Sequence, residues 1–371
     1  MCGIFDTVFL LHAKKNTDTS SKNANARNFI ESKLIKVFYN ISLINTESLL
    51  SVNAANFDQM ALQVFHYQFH SNSLYREYCM ALRIDEHSVN RLTQIPFLPI
   101  SFFKTHTVLT GTEQHIPNKA ALIFESSGTT GETPSRHHIL DAEIYEWSLL
   151  QGFHQFYGDP SQYAILALLP SYLERKNASL VHMAKTLMEK SGHPDNGFYI
   201  NEWQQLHNVL ARLEQGGQKT LLLGVTFALL DFAAAYPMPL NNTIVMETGG
   251  MKGRREELTR NEVHAILKRQ WQLKQVHSEY GMTELLSQAY APADGIFKPT
   301  ATMRVLVRDI NDPLDVTKTG TGGINIIDLA NINSCSFIAT EDIGNIAPDG
   351  TFEVLGRMDH SALRGCSLMT V

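Results

Sequence analysis

Apolar residues recur along this chain with two different periods, and the changes of period divide it into stretches. Ile30, Leu34, Val37 and Phe38 recur at helical spacing, as do Phe57, Met60, Ala61 and Val64, so 28–92 is expected to be helical. Tyr67, Phe69, Tyr75 and Tyr78 in that stretch read as packing aromatics. Ile95 to Lys104 is an extended connection marked by Pro96 and Pro99, since a residue preceding proline is biased away from the helical region. From Ala121 short apolar runs alternate with amphipathic ones. Strands are expected at Ala121 to Phe124, Tyr163 to Leu169, Thr220 to Gly224, Thr243 to Glu247 and Leu273 to His277. Helices are expected at Glu174 to Lys190, Phe227 to Ala235 and Arg255 to Trp271. Such alternation predicts an α/β unit, a mostly parallel sheet flanked by helices. After Ala301 the character changes to short strands split by glycines: Met303 to Val307, Gly323 to Leu329, Cys335 to Ala339 and Phe352 to Leu355. The expected organisation is a flexible leader (1–27), a helical N-terminal part (28–110), an α/β core (111–300), a small β subdomain (301–355) and a C-terminal tail (356–371).

Composition narrows the classes. With 371 residues, 44% of them hydrophobic, the chain can bury a large core. Its 31 basic and 37 acidic residues give a formal net charge of −6 with no block of like charges, so neither nucleic acid nor an anionic membrane surface is expected as a partner. Cys2, Cys79, Cys335 and Cys366 are scattered, with no Cys-x-x-Cys pair. That speaks against a structural zinc site or a disulfide scaffold and fits a reducing cytoplasm. No apolar run reaches the length of a membrane span, and Phe5 to Ala13 lacks the basic leader of a signal peptide. After loss of Met1, the start Cys2-Gly3-Ile4 resembles glutamine amidotransferases with a terminal cysteine nucleophile. The Arg-Gly-Pro-Asp and Gly-Asn-Gly segments expected to hold glutamine are absent, and the polar run Asn16 to Arg27 reads as a linker.

Candidate chemistry concentrates in two loops, each following a strand. The first, Ser126-Ser127-Gly128-Thr129-Thr130-Gly131, is followed by Thr133, Ser135 and Arg136. Its glycines let backbone N–H groups converge on an anion, and its small hydroxyls add donors without blocking the approach, as a triphosphate requires. It lacks the Gly-Lys-Ser/Thr ending of a Walker loop, and His137 to Leu140 reads as a return strand. The second, Val276 to Glu284, ends in Tyr280-Gly281-Met282-Thr283-Glu284. Both loops, and Glu247-Thr-Gly249-Gly250, fall at candidate strand ends, where open α/β sheets bind ligands. Taken singly, each has a plainer reading: a solvated hairpin, a core tyrosine, a glutamate at a helix start.

Together, and in this order, they resemble the adenylate-forming superfamily of acyl-CoA synthetases, peptide-synthetase adenylation domains and luciferases. Thr340-Glu-Asp342-Ile-Gly344 resembles that family's ribose-binding aspartate segment, and Leu355-Gly-Arg357-Met-Asp359 its Gly-Arg-x-Asp hinge. The resemblance implies the large domain of such enzymes, with ATP and Mg²⁺ as cofactors. Ser126 to Gly131 would cradle phosphates, with Arg136, Lys104 and Lys252 as candidate cations. Glu284 would be catalytic as the Mg²⁺ ligand, since Mg²⁺ favours one or two carboxylates plus phosphate oxygens. Tyr280, with Gly281, Met282 and Thr283, would cover the adenine, Gly249 and Gly250 would admit its edge, Asp342 would accept the ribose hydroxyls and Arg357 would reach ribose or phosphate.

A narrower likeness is to the acyl-protein synthetases, typified by the long-chain-fatty-acid component of the bacterial luminescence reductase complex. It is carried by Ile95 to Ile100, Pro170 to Arg175 with Ala178 to Met183, and Leu363 to Met369, together with a chain that stops at Val371, short of a lid domain. This implies activation of a carboxylic acid, a fatty acid in the family, and its transfer to Cys366 before delivery to an acyl-reductase or acyl-carrier partner. Arg364 and His360 would favour the Cys366 thiolate. Cys335 reads as a packed small hydrophobe, and His182 as either a core histidine or part of an acyl pocket. The alternatives are a ligase using free CoA, the amidotransferase acting through Cys2, and a catalytically inactive scaffold that binds a partner.

Overall fold

The helical spacing at Phe57, Met60, Ala61 and Val64 becomes α1 (Phe57–Ser71), whose buried face continues through Phe65 and Gln68. In the computed structural model of the protein, residues 49–111, 120–126, 133–170, 177–249 and 258–358 are described, and they belong to a unit running from Thr46 to Val371. The expected leader, the repeat at Ile30 to Phe38 and the tail with Cys366 lie outside the described residues. Asn72 caps α2 (Ser73–Ala81), its side chain accepting the Tyr75 N–H at 3.0 Å. Gln68 is fully buried because its amide is used at both ends. Nε2 donates to the carbonyls of Asn331 and Ile332, each at 3.1 Å, and Oε1 accepts from Ser336 N–H at 2.9 Å. These bonds fasten the N-terminal helices to a turn more than half the chain away.

The proline-marked connection contributes a two-residue strand, β1 (Leu98–Pro99), and a single helical turn, α3 (Phe102–Thr105). Next comes an antiparallel hairpin, β2 (Leu122–Glu125) and β3 (Arg136–Ile139), which pairs Phe124 with His137 and Glu125 with Arg136 at the base of the hydroxyl loop. Asp141 caps α4 (Ala142–Tyr157).

The central sheet is built from β4 (Ala164–Leu168), β5 (Gly197–Phe198), β6 (Thr220–Gly224), β7 (Thr243–Glu247) and β8 (His277–Tyr280), all in parallel pairings. Two antiparallel strands, β9 (Ala289–Ala291) and β10 (Lys298–Pro299), extend it to seven in the order β10-β9-β8-β7-β6-β4-β5. α5 (Ser179–Ser191), α6 (Trp203–Gln215), α7 (Thr226–Ala235) and α8 (Arg260–Trp271) follow between the strands. Every residue of β4 and β6 is buried, as expected for parallel strands covered on both faces. Leu222, Leu223, Phe232, Leu267 and Trp271 belong to the resulting core. No described helix is long and apolar enough to cross a membrane.

The second sheet contains β11 (Met303–Arg308), β12 (Val316–Thr317), β13 (Gly320–Asp328), β14 (Phe337–Ile346) and β15 (Phe352–Arg357). β1 joins it by pairing parallel to β14, Leu98 opposite Ile338, and the remaining pairings are antiparallel.

Three expectations change here. The glycines do not split short strands; they lie inside long ones. A Cβ at Gly322 would come 2.3 Å from the Arg308 carbonyl oxygen, and one at Gly344 would come 2.6 Å from that of Glu353, so these positions serve close backbone approach. Cys335 is not in a strand. It precedes β14, buried, with its thiol donating to the Phe337 carbonyl at 3.5 Å. The last parallel strand is His277–Tyr280 rather than the apolar run from Leu273, because its polar residues find buried partners, Ser278 in Glu247 of the neighbouring β7 and Tyr280 in Asp342 of the second sheet.

Candidate active site

The site forms where β8 ends and the second sheet meets it. Tyr280, the last residue of β8, is 8% exposed. Its hydroxyl donates to Asp342 Oδ2 at 2.8 Å. Asp342 lies within β14 opposite Arg357 of β15, and Arg357 Nε stands 3.4 Å from the other carboxylate oxygen. A carboxylate in this place is expensive to bury alone, and burial does push Asp342 up from its ordinary pKa. The Arg357 charge and the Tyr280 hydroxyl oppose that push. The Tyr280 ring packs against Phe297 and Phe352, with centroids 5.8 and 5.5 Å away, which fixes the plane it presents.

Glu284 follows on the loop after β8 and is 5% exposed. Burial raises its pKa, against the pull of a hydrogen bond from the Ser135 hydroxyl and of the Arg357 charge. Ser135 in turn closes the hydroxyl loop. Its N–H donates to Ser126 Oγ at 2.9 Å, and its carbonyl accepts the Ser126 N–H at 3.1 Å. Ser126, Ser135 and Glu284 thus lie on one side of the site and Tyr280, Asp342 and Arg357 on the other, with the Arg357 charge felt at Glu284. These residues come from a hairpin, the main sheet and the second sheet.

The backbone around Glu284 is held from several sides. His137 Nδ1 lies 3.0 Å from the Thr283 carbonyl oxygen. Asn331 Nδ2 donates to the Glu284 carbonyl at 2.8 Å. Asp328, fully buried, accepts from the N–H groups of Leu286 and Ser287 at 2.7 and 3.0 Å and from Ser287 Oγ at 2.6 Å. Burial brings the His137 pKa down to about 4, so its ring is neutral. A Cβ at Gly281 would fall 2.4 Å from Glu279 Oε1, so a side chain there would require the Glu279 carboxyl to move.

A second buried hub lies at the end of β7. Glu247 accepts from Thr226 Oγ1 at 3.0 Å, Gly249 N–H at 2.8 Å, Ser278 Oγ at 2.7 Å and Arg260 Nε at 3.1 Å. Burial opposes its charge, but His264, Arg260, Ser278 and Gly249 outweigh burial and hold its pKa at about 2. Gly249, at φ +75°, has both polar groups engaged, since its carbonyl also accepts the Thr226 N–H at 2.9 Å. Arg260 continues to the Val354 carbonyl at 3.3 Å and stacks over Phe297, which ties β7 to β15.

A profile of the family described as "Acyl-protein synthetase, LuxE" matches residues 48–144. The long-chain-fatty-acid–luciferin-component ligase of Vibrio harveyi is 24% identical over 330 residues, covering 82% of this chain and 84% of that protein. This chain is similar to the acyl-protein synthetases over residues 48–144. Its fold is that of adenylate-forming ligases. An open conformation of 2-hydroxyisobutyryl-CoA ligase, in complex with 2-HIB-AMP and CoA, superposes with a TM-score of 0.59 at 12% identity, over 83% of this chain and 76% of that one. ATP-bound MatB from Rhodopseudomonas palustris is matched at a TM-score of 0.49 and 16% identity, over 67% of this chain and 50% of that one, so the match spans about half the length of that enzyme.

Of the residues singled out in the sequence, Ser126, Tyr280, Glu284, Asp342 and Arg357 come together in this array. Gly281, Met282 and Thr283 form its connecting loop. Arg136 is at the mouth of the hairpin with its guanidinium on Glu125, Nε to Oε1 at 3.1 Å, and is 62% exposed. Gly249 lies at the end of β7. Lys104 lies on α3. Ser127, Gly128, Thr129, Thr130, Gly131, Gly250, Lys252 and Cys366 are outside the described residues. His182 packs its ring against Phe124 and Tyr145, with centroids 5.7 and 5.5 Å away, and sets Nε2 3.3 Å from Glu146 Oε1. Sequence reasoning passed over His137, Asp328 and Asn331. They act through backbone groups far along the chain, so no local pattern marks them.

Proposed function

We propose that this protein uses ATP to convert a carboxylic acid, a fatty acid by its relatives, into an acyl-adenylate and then passes the acyl group to the thiol of Cys366. The observation that supports this best is the Tyr280–Asp342–Arg357 array, its tyrosine and carboxylate buried, with Glu284 and the Ser126–Ser135 closure of the hydroxyl loop near it.

In this reading Asp342 accepts the ribose hydroxyls. A carboxylate has lone pairs beyond the two taken by Tyr280 and Arg357, and two incoming O–H donors would relieve the burial that raises its pKa. The Tyr280 ring forms a wall for the base. Ser126 and the loop beyond it hold the β- and γ-phosphates, with converging N–H and hydroxyl donors at the mouth of the β2–β3 hairpin. Half-exposed Arg357 can leave Asp342 for a phosphate oxygen while staying within reach of both.

Glu284 suits Mg²⁺. It is a single enclosed carboxylate beside a hydroxyl, and no cluster of three metal-ligating side chains occurs among the described residues. That fits an ion bound by one protein carboxylate and completed by phosphate oxygens and water. When bound, the cation would offset charge on the phosphates as pyrophosphate departs. The carboxylate oxygen of the acid attacks the α-phosphorus, the bond from the α-phosphorus to the bridging oxygen breaks, and pyrophosphate leaves with the electron pair. A thiolate then attacks the acyl carbonyl and AMP leaves, which conserves the activated acyl group as a thioester.

The test uses radiolabelled fatty acid with ATP and no CoA. Label that stays on the denatured protein, is released by neutral hydroxylamine and disappears in Cys366→Ala supports self-acylation. Label recovered only as free acyl-AMP until CoA is added contradicts it and identifies CoA as the acceptor.

A further inference from the structure

Glu284 is the only carboxylate that the proposed function assigns to the cation, so what holds it in place bears directly on binding of the ion. The Ser135 hydroxyl stands beside its side chain. The backbone just before it is held by His137, whose Nδ1 lies 3.0 Å from the Thr283 carbonyl oxygen. His137 is 0% exposed and lies in β3, directly opposite Phe124 on β2. The Phe103 ring packs edge-on against it with centroids 5.4 Å apart, which leaves the imidazole little freedom to turn. A carbonyl oxygen only accepts, so the proton of the neutral ring is assigned to Nδ1 and the contact is N–H···O=C.

The two ends of this bond belong to the two loops that must cooperate. β3 is the return strand of the phosphate loop and Thr283 is the residue before Glu284. Asn331 and Asp328 hold the same segment from the second sheet, through the Glu284 carbonyl and the Leu286 and Ser287 N–H groups. Only His137 among these holds it from the hairpin. We propose that His137 is a positioning residue: its hydrogen bond to the Thr283 carbonyl holds Glu284 beside the β2–β3 hairpin, in the place from which it would take the cation. The proposal rests on the reading of the site as a Mg·ATP site.

The test compares His137→Asn, His137→Gln and His137→Phe. An asparagine amide nitrogen can occupy the place of Nδ1 and donate to the carbonyl. A glutamine places its donor near Nε2 instead, and phenylalanine keeps the ring volume with no donor. Isothermal titration of ATP at a series of MgCl₂ concentrations reads the half-saturating Mg²⁺ directly, without turnover. His137→Phe and His137→Gln should raise it about 10-fold or more, and His137→Asn should remain within about threefold of the original. Acid-dependent exchange of pyrophosphate into ATP should show the same order in kcat, with losses approaching about 100-fold for an ångström-scale displacement, while KM for the acid is unchanged. Should His137→Phe fail to fold, the two amide variants still carry the comparison. Equal Mg²⁺ dependence in all variants, or His137→Asn behaving like His137→Gln, overturns the positioning role and leaves the nucleotide site intact. An original protein that binds ATP with no Mg²⁺ dependence overturns both.

Discussion

Glu247→Gln removes one charge from a well-connected buried carboxylate outside the proposed nucleotide contacts while leaving its shape. Glu247 is 3% exposed and holds donors from Thr226, Gly249, Ser278 and Arg260. Its pKa is held at about 2 against an ordinary value of 4.5. At roughly 1.4 kcal/mol per pH unit that difference amounts to about 3 kcal/mol, close to the loss of about 3–5 kcal/mol expected when a buried ion pair loses one partner. The sign follows from which state takes up the proton first. Above about pH 4.5 the carboxylate is ionised in both states and its stabilisation is complete. Below that, the unfolded chain protonates first, and the stabilisation declines as pH falls towards 2. Urea unfolding followed by tryptophan fluorescence should place Glu247→Gln about 3 kcal/mol below the original protein at pH 7. The gap should narrow by about 1–1.5 kcal/mol at pH 3.5. A gap of the same size at both pH values would refute the argument from charge, and no gap at pH 7 would refute the hub itself.

Two further outcomes are expected. Asp342→Asn should weaken ATP binding by about 10- to 100-fold in calorimetry, the loss typical of charge-assisted hydrogen bonds, while unfolding is little changed because Tyr280 and Arg357 keep partners; unaltered affinity would remove Asp342 from the site. Glu279, pushed up to about 8 by burial and then by the Glu247 charge, holds a proton when folded and loses it when unfolded. It therefore costs stability increasingly as pH rises from about 4.5 to about 8, so Glu279→Gln should raise the unfolding temperature more at pH 9 than at pH 6 and not at all near pH 4. A uniform shift at every pH would contradict that assignment.

How much of this was legible depended on the reach of each interaction. Buried parallel strands such as β4 and β6 announce themselves by continuous apolar runs, and α1 by its period, because one residue's neighbours decide both. Tyr280, Glu284, Asp342 and Arg357 could be named because they sit in recognisable short motifs. Their surroundings could not. Asp342 reads locally as a turn residue, yet it lies mid-strand, since its backbone pairs with Arg357 and its side chain with Tyr280. β8 is polar in sequence because Ser278 bonds the buried Glu247 of β7 and Tyr280 bonds Asp342 of the second sheet, so hydrophobic patterning placed the strand too early. β1 spans two residues and exists only by pairing with Ile338 and Ala339. α4 and α6 fall outside the helices expected from the sequence, although Leu206, Leu210 and Leu213 of α6 share a buried face. His137 gave no signal because its partner Thr283 is 146 residues away.

The central claim is that segments spread from Ser126 to Arg357 make one nucleotide pocket that activates a carboxylic acid. Exchange of labelled pyrophosphate into ATP, measured with and without each member of a panel of fatty and aryl acids, tests it most directly. Exchange that requires both an acid and Mg²⁺, and that is lost in Glu284→Gln, is the predicted result. A folded protein that shows no exchange with any acid, or exchange that survives Glu284→Gln unchanged, would contradict the account.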